Sequence, residues 1–280
     1  MLYVYVYVQA SIAWPSTLWT APQISTATSP PAASSPFGSR YHTDDQCTYT
    51  HTHILIHIHI HIHIRNACTD DVSPHHIALL SLSVQQSEGP ATTADILRSG
   101  TEMVCAGYCA YGSATEMVIT YGHGVERFTL DPSIGEFILT GERLMIPDKP
   151  KTIYSINEGN YTTWDSNMQK AVDGFKFNSP SPYTARYVGS MVSDVHRTLL
   201  YGGIYMYPAD AAKGNGKLRI LYEGFPMAKI MEDAGGEAST GLFRGGLQRI
   251  LETQPKSIHD KCPVLVGCKR DVQRVLSYYK

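Results

Sequence analysis

The chain has 280 residues, of which 43% are hydrophobic and 17% charged. This is enough for about two domains of roughly 100 to 200 residues, and it excludes a chain that is disordered throughout. The 23 Lys and Arg against 25 Asp and Glu give a net charge of -2, which excludes the diffuse positive field of a non-specific nucleic-acid binder. Six cysteines without a close Cys-x-x-Cys pair argue against a disulfide framework and a zinc cluster. The longest apolar run, residues 1–8, is far short of the roughly 20 residues that cross a bilayer, so we expect no membrane partner.

The first third of the chain differs in composition from the rest. Residues 1–40 contain no acidic residue and one basic residue, Arg40, and Ser, Thr, Pro and Ala crowd positions 20–36. Such a composition is typical of a linker or a targeting segment. A transit peptide would also be rich in Ser and poor in acids, but it would carry several arginines. We therefore expect a cytoplasmic protein, with a plastid location as the alternative.

Residues 51–64 alternate His with Thr, Ile or Leu, and this favours one of two interpretations. In a strand, His57, His59, His61 and His63 would lie on one face. Same-face neighbours are roughly 6.6 Å apart, so two could share a metal ion but four could not surround one. The DNA repeat CATATA also encodes His-Ile, as TATGTA encodes Tyr-Val. We interpret residues 1–92 as a low-complexity segment derived from simple repeats, with a histidine metal site as the alternative.

From about Thr93 onward, strand-like and helix-like segments alternate, which predicts an α/β protein. Short apolar runs predict strands at residues 103–106, 116–120, 125–130, 136–139, 152–156, 203–207 and 263–267. Stripes of 3.6-residue period predict helices around residues 164–175, 191–199, 227–234 and 272–279. Turn residues predict loops at 108–113, 122–124 and 210–216. We interpret Cys105, in the first predicted strand, and Cys109, in the first of these loops, as buried and unreactive thiols.

Polar residues at the ends of these elements are candidates for binding an anion. Arg186 and Tyr187 precede a predicted helix, whose free N–H groups favour a phosphate. Tyr207 ends a predicted strand, Lys217 follows in the next connection, and Glu223 lies at the start of the helix after it. A cation, a phenol and a carboxylate could thus meet at one sheet edge, where α/β proteins often bind ligands. The simpler alternative is that these charges only solvate the loop ends.

Several strings of residues resemble the fructose-1,6-bisphosphatase family. They are Val-Cys-Ala-Gly-Tyr-Cys-Ala-Tyr-Gly-Ser-Ala-Thr from Val104, Phe-Thr-Leu-Asp-Pro-Ser-Ile-Gly-Glu-Phe from Phe128, Tyr-Ser-Ile-Asn-Glu-Gly-Asn from Tyr154, and Ala-Arg-Tyr-Val-Gly-Ser-Met-Val-Ser-Asp-Val-His-Arg from Ala185. The resemblance covers about residues 93–280. It implies the layered α/β fold of the sugar phosphatases in an incomplete form. Residues 93–148 would be a remnant of the family's N-terminal domain and residues 149–280 its C-terminal domain.

The resemblance also implies an activity and a set of substrate contacts. The family hydrolyses the 1-phosphate of fructose 1,6-bisphosphate to give fructose 6-phosphate and phosphate, with Mg²⁺ and as a homotetramer. The residues that match its contacts to the retained sugar phosphate are Asn157, Tyr187, Tyr207 and Lys217 for the 6-phosphate, Arg186 for the same phosphate across a subunit interface, and Met191 for the sugar through its backbone N–H. In place of a tyrosine found in many relatives, this chain has Asn160.

Glu223 matches one metal-binding carboxylate of the family. The other implied ligands belong to an Asp-Pro-Leu-Asp-Gly-Ser segment and a glutamate pair, and residues 1–92 do not contain them. The pairs Asp44-Asp45 and Asp70-Asp71 lack the neighbouring Pro and Gly-Ser of that segment. We therefore assign no catalytic residue and expect impaired hydrolysis. The alternative is a non-catalytic subunit that binds a sugar phosphate or partners a tetramer.

Overall fold

The computed structural model describes residues 2–8, 77–84, 92–177 and 182–280, and for residues 2–8 it describes the backbone only. The alternating segment at 51–64 and the acidic pairs at 44–45 and 70–71 lie outside the described residues. None of the helices in the described ranges has the length and apolar character required to span a membrane.

The first sheet has six strands in the order of the sequence. They are β1 (Leu2–Val8), β2 (Ile77–Val84), β3 (Met103–Tyr111), β4 (Thr115–Thr120), β5 (Val125–Asp131) and β6 (Glu136–Leu144). β1 runs parallel to β2, and each later strand is antiparallel to the one before it. The tight turn between β4 and β5 contains Gly122 and Gly124, whose φ angles of 93° and 113° are accessible to glycine without strain.

The first sheet differs from the sequence expectations in two places. β2 lies ahead of Thr93, where the regular alternation in the sequence begins. The loop expected at 108–113 is wrong in its first part, because β3 continues to Tyr111 and the turn starts only at Gly112. Tyr108 is buried within β3, and its hydroxyl is hydrogen-bonded to Nδ1 of His196 at 2.7 Å. Long-range packing thus overrides the turn-like composition of this segment.

The second sheet is mixed and contains the carboxyl-terminal strands. Its strands, in spatial order, are β12 (Gly246–Arg249), β11 (Glu237–Phe243), β14 (Val264–Gly267), β9 (Ile204–Tyr207), β7 (Ile153–Ser155) and β8 (Thr184–Ala185). β7 runs parallel to both β8 and β9, and the remaining pairs are antiparallel. A separate two-stranded ribbon joins β10 (Leu218–Arg219) to β13 (Lys261–Cys262) in antiparallel register. All seven strands expected from the sequence are present.

Five α-helices lie in the described ranges: α1 (Thr93–Ile96), α2 (Ser166–Phe177), α3 (Met191–Tyr201), α4 (Phe225–Asp233) and α5 (Lys269–Leu276). The last four confirm the helices expected from the 3.6-residue stripes. α3 and α4 pack against strands of both sheets, whereas α2 and α5 cover the opposite side of the second sheet.

Burial of the apolar stripes holds these layers together. Met227, Ile230 and Met231 of α4 are completely buried in the cluster shared with the first sheet. Phe175 of α2 and Val275 of α5 are completely buried in the second cluster. Each such side chain contributes about 1.5 to 3 kcal/mol by leaving water. The result is a layered α/β fold, as the sequence predicts.

Candidate functional site

A cleft of about 450 Å³ opens where β7 and β9 end. Because the two strands are parallel, the residues that follow them meet at one edge of the sheet. The lining residues are Ile156, Asn157, Asn160, Thr163 and Trp164 after β7; Met206, Tyr207, Pro208, Asp210, Lys213, Asn215, Gly216 and Lys217 at and after the end of β9; and Lys261 from β13. Asn157, Tyr207 and Lys217 are therefore brought together from positions far apart in the sequence.

Asn157 is held by the short helix that it begins. Its side-chain oxygen accepts a hydrogen bond of 3.2 Å from the N–H of Gly159, which leaves the amide nitrogen as a donor for a ligand. The next residue, Glu158, accepts hydrogen bonds from Lys176 Nζ at 2.5 Å and the Tyr154 hydroxyl at 2.6 Å. Burial by itself would raise the pKa of Glu158, but these two partners outweigh it and hold the pKa below its usual value. The hydrogen bonds of Asn157 and of Glu158 thus both fix the loop that carries Asn157.

Tyr207 and Lys217 face each other in the cleft. The ammonium of Lys217 lies 5.9 Å from the centre of the Tyr207 ring, within the range of a cation–π contact. The segment between them is the loop expected at 210–216. It is organised by the Asp210 carboxylate, which accepts hydrogen bonds from the backbone N–H groups of Ala212 at 2.9 Å and Lys213 at 3.2 Å.

Gly216 fixes this loop against the β10–β13 ribbon. A Cβ atom at Gly216 would lie 1.8 Å from the carbonyl carbon of Cys262, so only glycine fits without moving the backbone. The same close approach places Lys217, immediately before β10, and Lys261, in β13, along a single cleft.

The loop before α3 is organised by a buried carboxylate. Asp194 is inaccessible to solvent and accepts hydrogen bonds from the Ser155 hydroxyl at 2.9 Å, the Gly189 N–H at 3.1 Å and Arg197 at 2.7 Å. Arg197 also donates to the backbone oxygen of Arg186 at 2.7 Å. Two backbone N–H groups of the loop before α3, those of Val188 and Gly189, are therefore satisfied from within the chain.

Arg186, Tyr187 and Met191 do not line the cleft. Arg186 is exposed to solvent, and Met191 packs its side chain partly against the core. Partial burial raises the pKa of Tyr187, and the Tyr207 phenol and the Asp194 carboxylate raise it further. The expected roles of these three residues stay predictions.

Glu223 is buried in a turn of π-helix, Ile220–Gly224, which leads into α4. Its carboxylate accepts a hydrogen bond of 2.6 Å from the Arg219 backbone N–H and lies 3.4 Å from the Arg219 guanidinium. Within the ranges that the structure describes, no group of three His, Cys, Asp or Glu side chains could hold a metal ion. One carboxylate that already caps a turn does not make a magnesium site, so the described residues do not fit this group by themselves.

Burial makes the two cysteine thiols in β3 harder to ionise. It raises the pKa of Cys105 to about 11, so this thiol stays protonated at neutral pH. Cys109 is half-buried, and burial raises its pKa as well. Both positions have the features of unreactive thiols.

Comparison with protein-family models gives a match over most of the chain. The model described as "Fructose-1-6-bisphosphatase, C-terminal domain" matches residues 146–280, and that of the N-terminal domain matches residues 76–142. The chain belongs to the fructose-1,6-bisphosphatase family. The N-terminal match begins one residue before β2.

Curated relatives and solved structures agree with this assignment. The chain is 53% identical over 191 residues to the cytosolic fructose-1,6-bisphosphatases of Beta vulgaris and Arabidopsis thaliana, covering 68% and 67% of this chain and 54% of each relative. The Leishmania major fructose-1,6-bisphosphatase in its T-state superposes with a TM-score of 0.67 at 45% identity, over 72% of this chain and 64% of that one. Its holo form gives a TM-score of 0.64 at 47% identity, over 70% and 60%. The chain spans about half the length of the curated fructose-1,6-bisphosphatases it matches.

The cleft of this family member also contains residues that sequence reasoning missed. Lys213 and Asn215 lie in the expected loop, where a Lys-Gly-Asn-Gly-Lys string could have drawn attention to them. Lys261 has no local signal, because it reaches the cleft only through the pairing of β13 with β10.

Proposed function

We propose that this chain binds the 6-phosphate end of fructose 1,6-bisphosphate and of fructose 6-phosphate in the cleft. The observation that supports this is the meeting of Asn157, Tyr207 and Lys217 at the shared edge of β7 and β9. An amide, a phenol and an ammonium are donors that suit a phosphate dianion. A charge-assisted hydrogen bond of this kind contributes about 1.5 to 3 kcal/mol.

We propose hydrolysis of the 1-phosphate, which the resemblance to the family implies, as the reaction, and Mg²⁺ as its metal. Such a metal, if bound, would supply Lewis-acid stabilisation of the phosphoryl oxygens and an activated water. In the described part of the chain Glu223 is the carboxylate we assign to it, and that carboxylate also caps a turn. The described residues therefore support the proposed binding of the retained phosphate, and hydrolysis would depend on further carboxylates.

Arg186 fits a role between subunits better than a role in its own cleft. It is exposed and lies outside the cleft lining. In a homotetramer, which we propose for this chain as for its family, the guanidinium would reach the 6-phosphate of a neighbouring copy. The relatives named cytosolic support a cytoplasmic location.

A second candidate is a subunit that binds a sugar phosphate without turning it over. It is favoured by the finding that the described ranges hold no three-residue metal group. The two candidates differ in one assay on the purified full chain. Release of phosphate from fructose 1,6-bisphosphate with Mg²⁺ supports the enzyme, and binding without release supports the second candidate.

Calorimetric titration with fructose 6-phosphate tests the binding site directly. Lys217→Ala removes one charge-assisted donor, so we expect affinity to fall by roughly 10- to 150-fold. Lys170→Ala, at an exposed lysine of α2 outside the cleft, is the matched control and should bind as the unchanged chain does. Equal affinity of all three proteins would contradict the proposed site.

A further inference from the structure

Three lysines line the cleft, and only one of them is explained by the binding site proposed above. Lys217 contacts the Tyr207 ring, while Lys213 and Lys261 also line the cleft from a loop and from β13. All three side chains are exposed to solvent. In the described ranges none of them forms a salt bridge, unlike Lys176 and Lys229, which pair with carboxylates.

The acidic residues close to this cleft are already engaged. Asp210, the one carboxylate among the described lining residues, accepts hydrogen bonds from the backbone of its own loop. Asp260, next to Lys261 in the sequence, is bonded to the Arg244 guanidinium at 2.6 Å. Three ammonium groups and one carboxylate give the lining a formal charge of +2, which equals the charge of one phosphate dianion with opposite sign.

The backbone holds Lys213 and Lys261 in place. Lys261 pairs with Arg219 across the ribbon, and the neighbouring Cys262 is completely buried. Lys213 lies in the turn that the Asp210 carboxylate organises, and its backbone N–H donates to that carboxylate at 3.2 Å. Their ammonium groups are therefore restricted to the vicinity of the cleft even though the side chains are exposed.

We propose that Lys213 and Lys261 are specificity-determining residues that make the cleft select a dianionic phosphate ester over a monoanionic or neutral sugar. This inference rests on the proposed binding of fructose 6-phosphate. The ammonium groups of Lys213 and Lys261 are exposed and act on the ligand through solvent. Their effect is therefore smaller than that of a direct hydrogen-bond donor, and it is screened by salt. We expect each lysine to change affinity by about 3- to 10-fold at low ionic strength.

The test compares two ligands of similar shape that differ in charge. Fructose 6-phosphate carries close to two negative charges at neutral pH, and fructose 6-sulfate carries one. Calorimetry on the full chain would measure the ratio of the two affinities for the unchanged protein, Lys213→Ala, Lys261→Ala and the double variant. The ratio should fall by about 2- to 3-fold in each single variant, because a monoanion loses half the Coulombic free energy that a dianion loses, and it should fall further in the double variant. The dependence of phosphate affinity on salt should weaken in parallel.

Three further variants distinguish an effect of the lysine charge from an effect of side-chain shape or of unfolding of the protein. Lys261→Arg keeps the charge and should keep the ratio, whereas Lys170→Ala changes an exposed lysine outside the cleft and should not alter it. If Lys217→Ala loses affinity while Lys213→Ala and Lys261→Ala keep the ratio, this inference is overturned and the proposed function stands. If the unchanged chain, folded by circular dichroism, binds neither ligand, both are overturned.

Discussion

The Ser155 hydroxyl donates a 2.9 Å hydrogen bond to the Asp194 carboxylate and so connects the end of β7 with the first turn of α3. Both residues are inaccessible to solvent. Because Asp194 also accepts from Arg197 and from the Gly189 N–H, one carboxylate positions the segment that carries Arg186 and Tyr187.

Replacing Asp194 by Asn should destabilise the fold. The change removes the charge that compensates the Arg197 guanidinium, and breaking a buried pair of this kind costs about 3 to 5 kcal/mol. Urea denaturation would measure the loss in the free energy of unfolding. Asp148→Asn, at an exposed aspartate, is the control and should leave that free energy nearly unchanged. A loss below about 1 kcal/mol in Asp194→Asn would show that the network is not a main source of stability.

Gly216→Ala should damage the cleft more than a typical surface change does. The added Cβ would meet the Cys262 carbonyl carbon at 1.8 Å, so the loop must move away from β13. We expect destabilisation of about 1 to 3 kcal/mol and a loss of fructose 6-phosphate affinity of at least roughly 10-fold. Thermal unfolding and calorimetry measure the two effects.

The control for this change is Gly246→Ala in β12. Nothing lies within 4 Å of the Cβ that it would add. Its affinity should equal that of the unchanged chain. A Gly216→Ala protein that binds normally would mean that the loop does not position Lys217.

His196 should make the stability of the chain depend on pH. Burial lowers the pKa of His196 below 6.5; the Glu116 carboxylate raises it and the Arg127 guanidinium lowers it, while the Tyr108 hydroxyl is hydrogen-bonded to Nδ1. The unfolded chain therefore takes up a proton near pH 6.5, at which the folded chain does not. Stability should be insensitive to this group above pH 6.5 and should fall as the pH decreases below it.

The measurement is chemical denaturation at pH 7.5 and 5.5 for the unchanged chain and for His196→Gln. The variant should lose less stability between the two values, because it has no imidazole to protonate. His123→Gln, at an exposed histidine in the β4–β5 turn, serves as the control. An identical pH dependence for the unchanged chain and His196→Gln would contradict the assignment.

Glu223→Gln should leave the affinity for fructose 6-phosphate within about 2-fold of the original value. A glutamine oxygen can still accept the hydrogen bond that the Arg219 N–H makes at 2.6 Å, and Glu223 does not line the cleft. We expect a loss of stability of about 1 kcal/mol from the weaker, uncharged hydrogen bond. Calorimetry would compare the fructose 6-phosphate affinity of Glu223→Gln with that of Lys217→Ala. Equal losses of affinity in both variants would mean that Glu223 shapes the cleft.

Local patterns in the sequence determined most of the elements. The stripes around residues 164–175 and 191–199 became α2 and α3 because a 3.6-residue period is a property of neighbouring side chains. The family strings likewise led to Asn157, Tyr207 and Lys217, which the cleft brings together. The turn-like composition at 108–113 was misleading, since Tyr108 is buried through contacts made far along the chain.

Only the tertiary structure decided which residues share a surface. Lys261 reaches the cleft because β13 pairs with β10 across about forty residues of chain, and no periodicity near Lys261 records that pairing. The structure also directs the Asp194 carboxylate to the backbone of the loop before α3, a contact that no local pattern in the sequence predicts. Periodicity determines which residues form an element, whereas the packing of distant elements determines which side chains meet, and a cleft depends on the second.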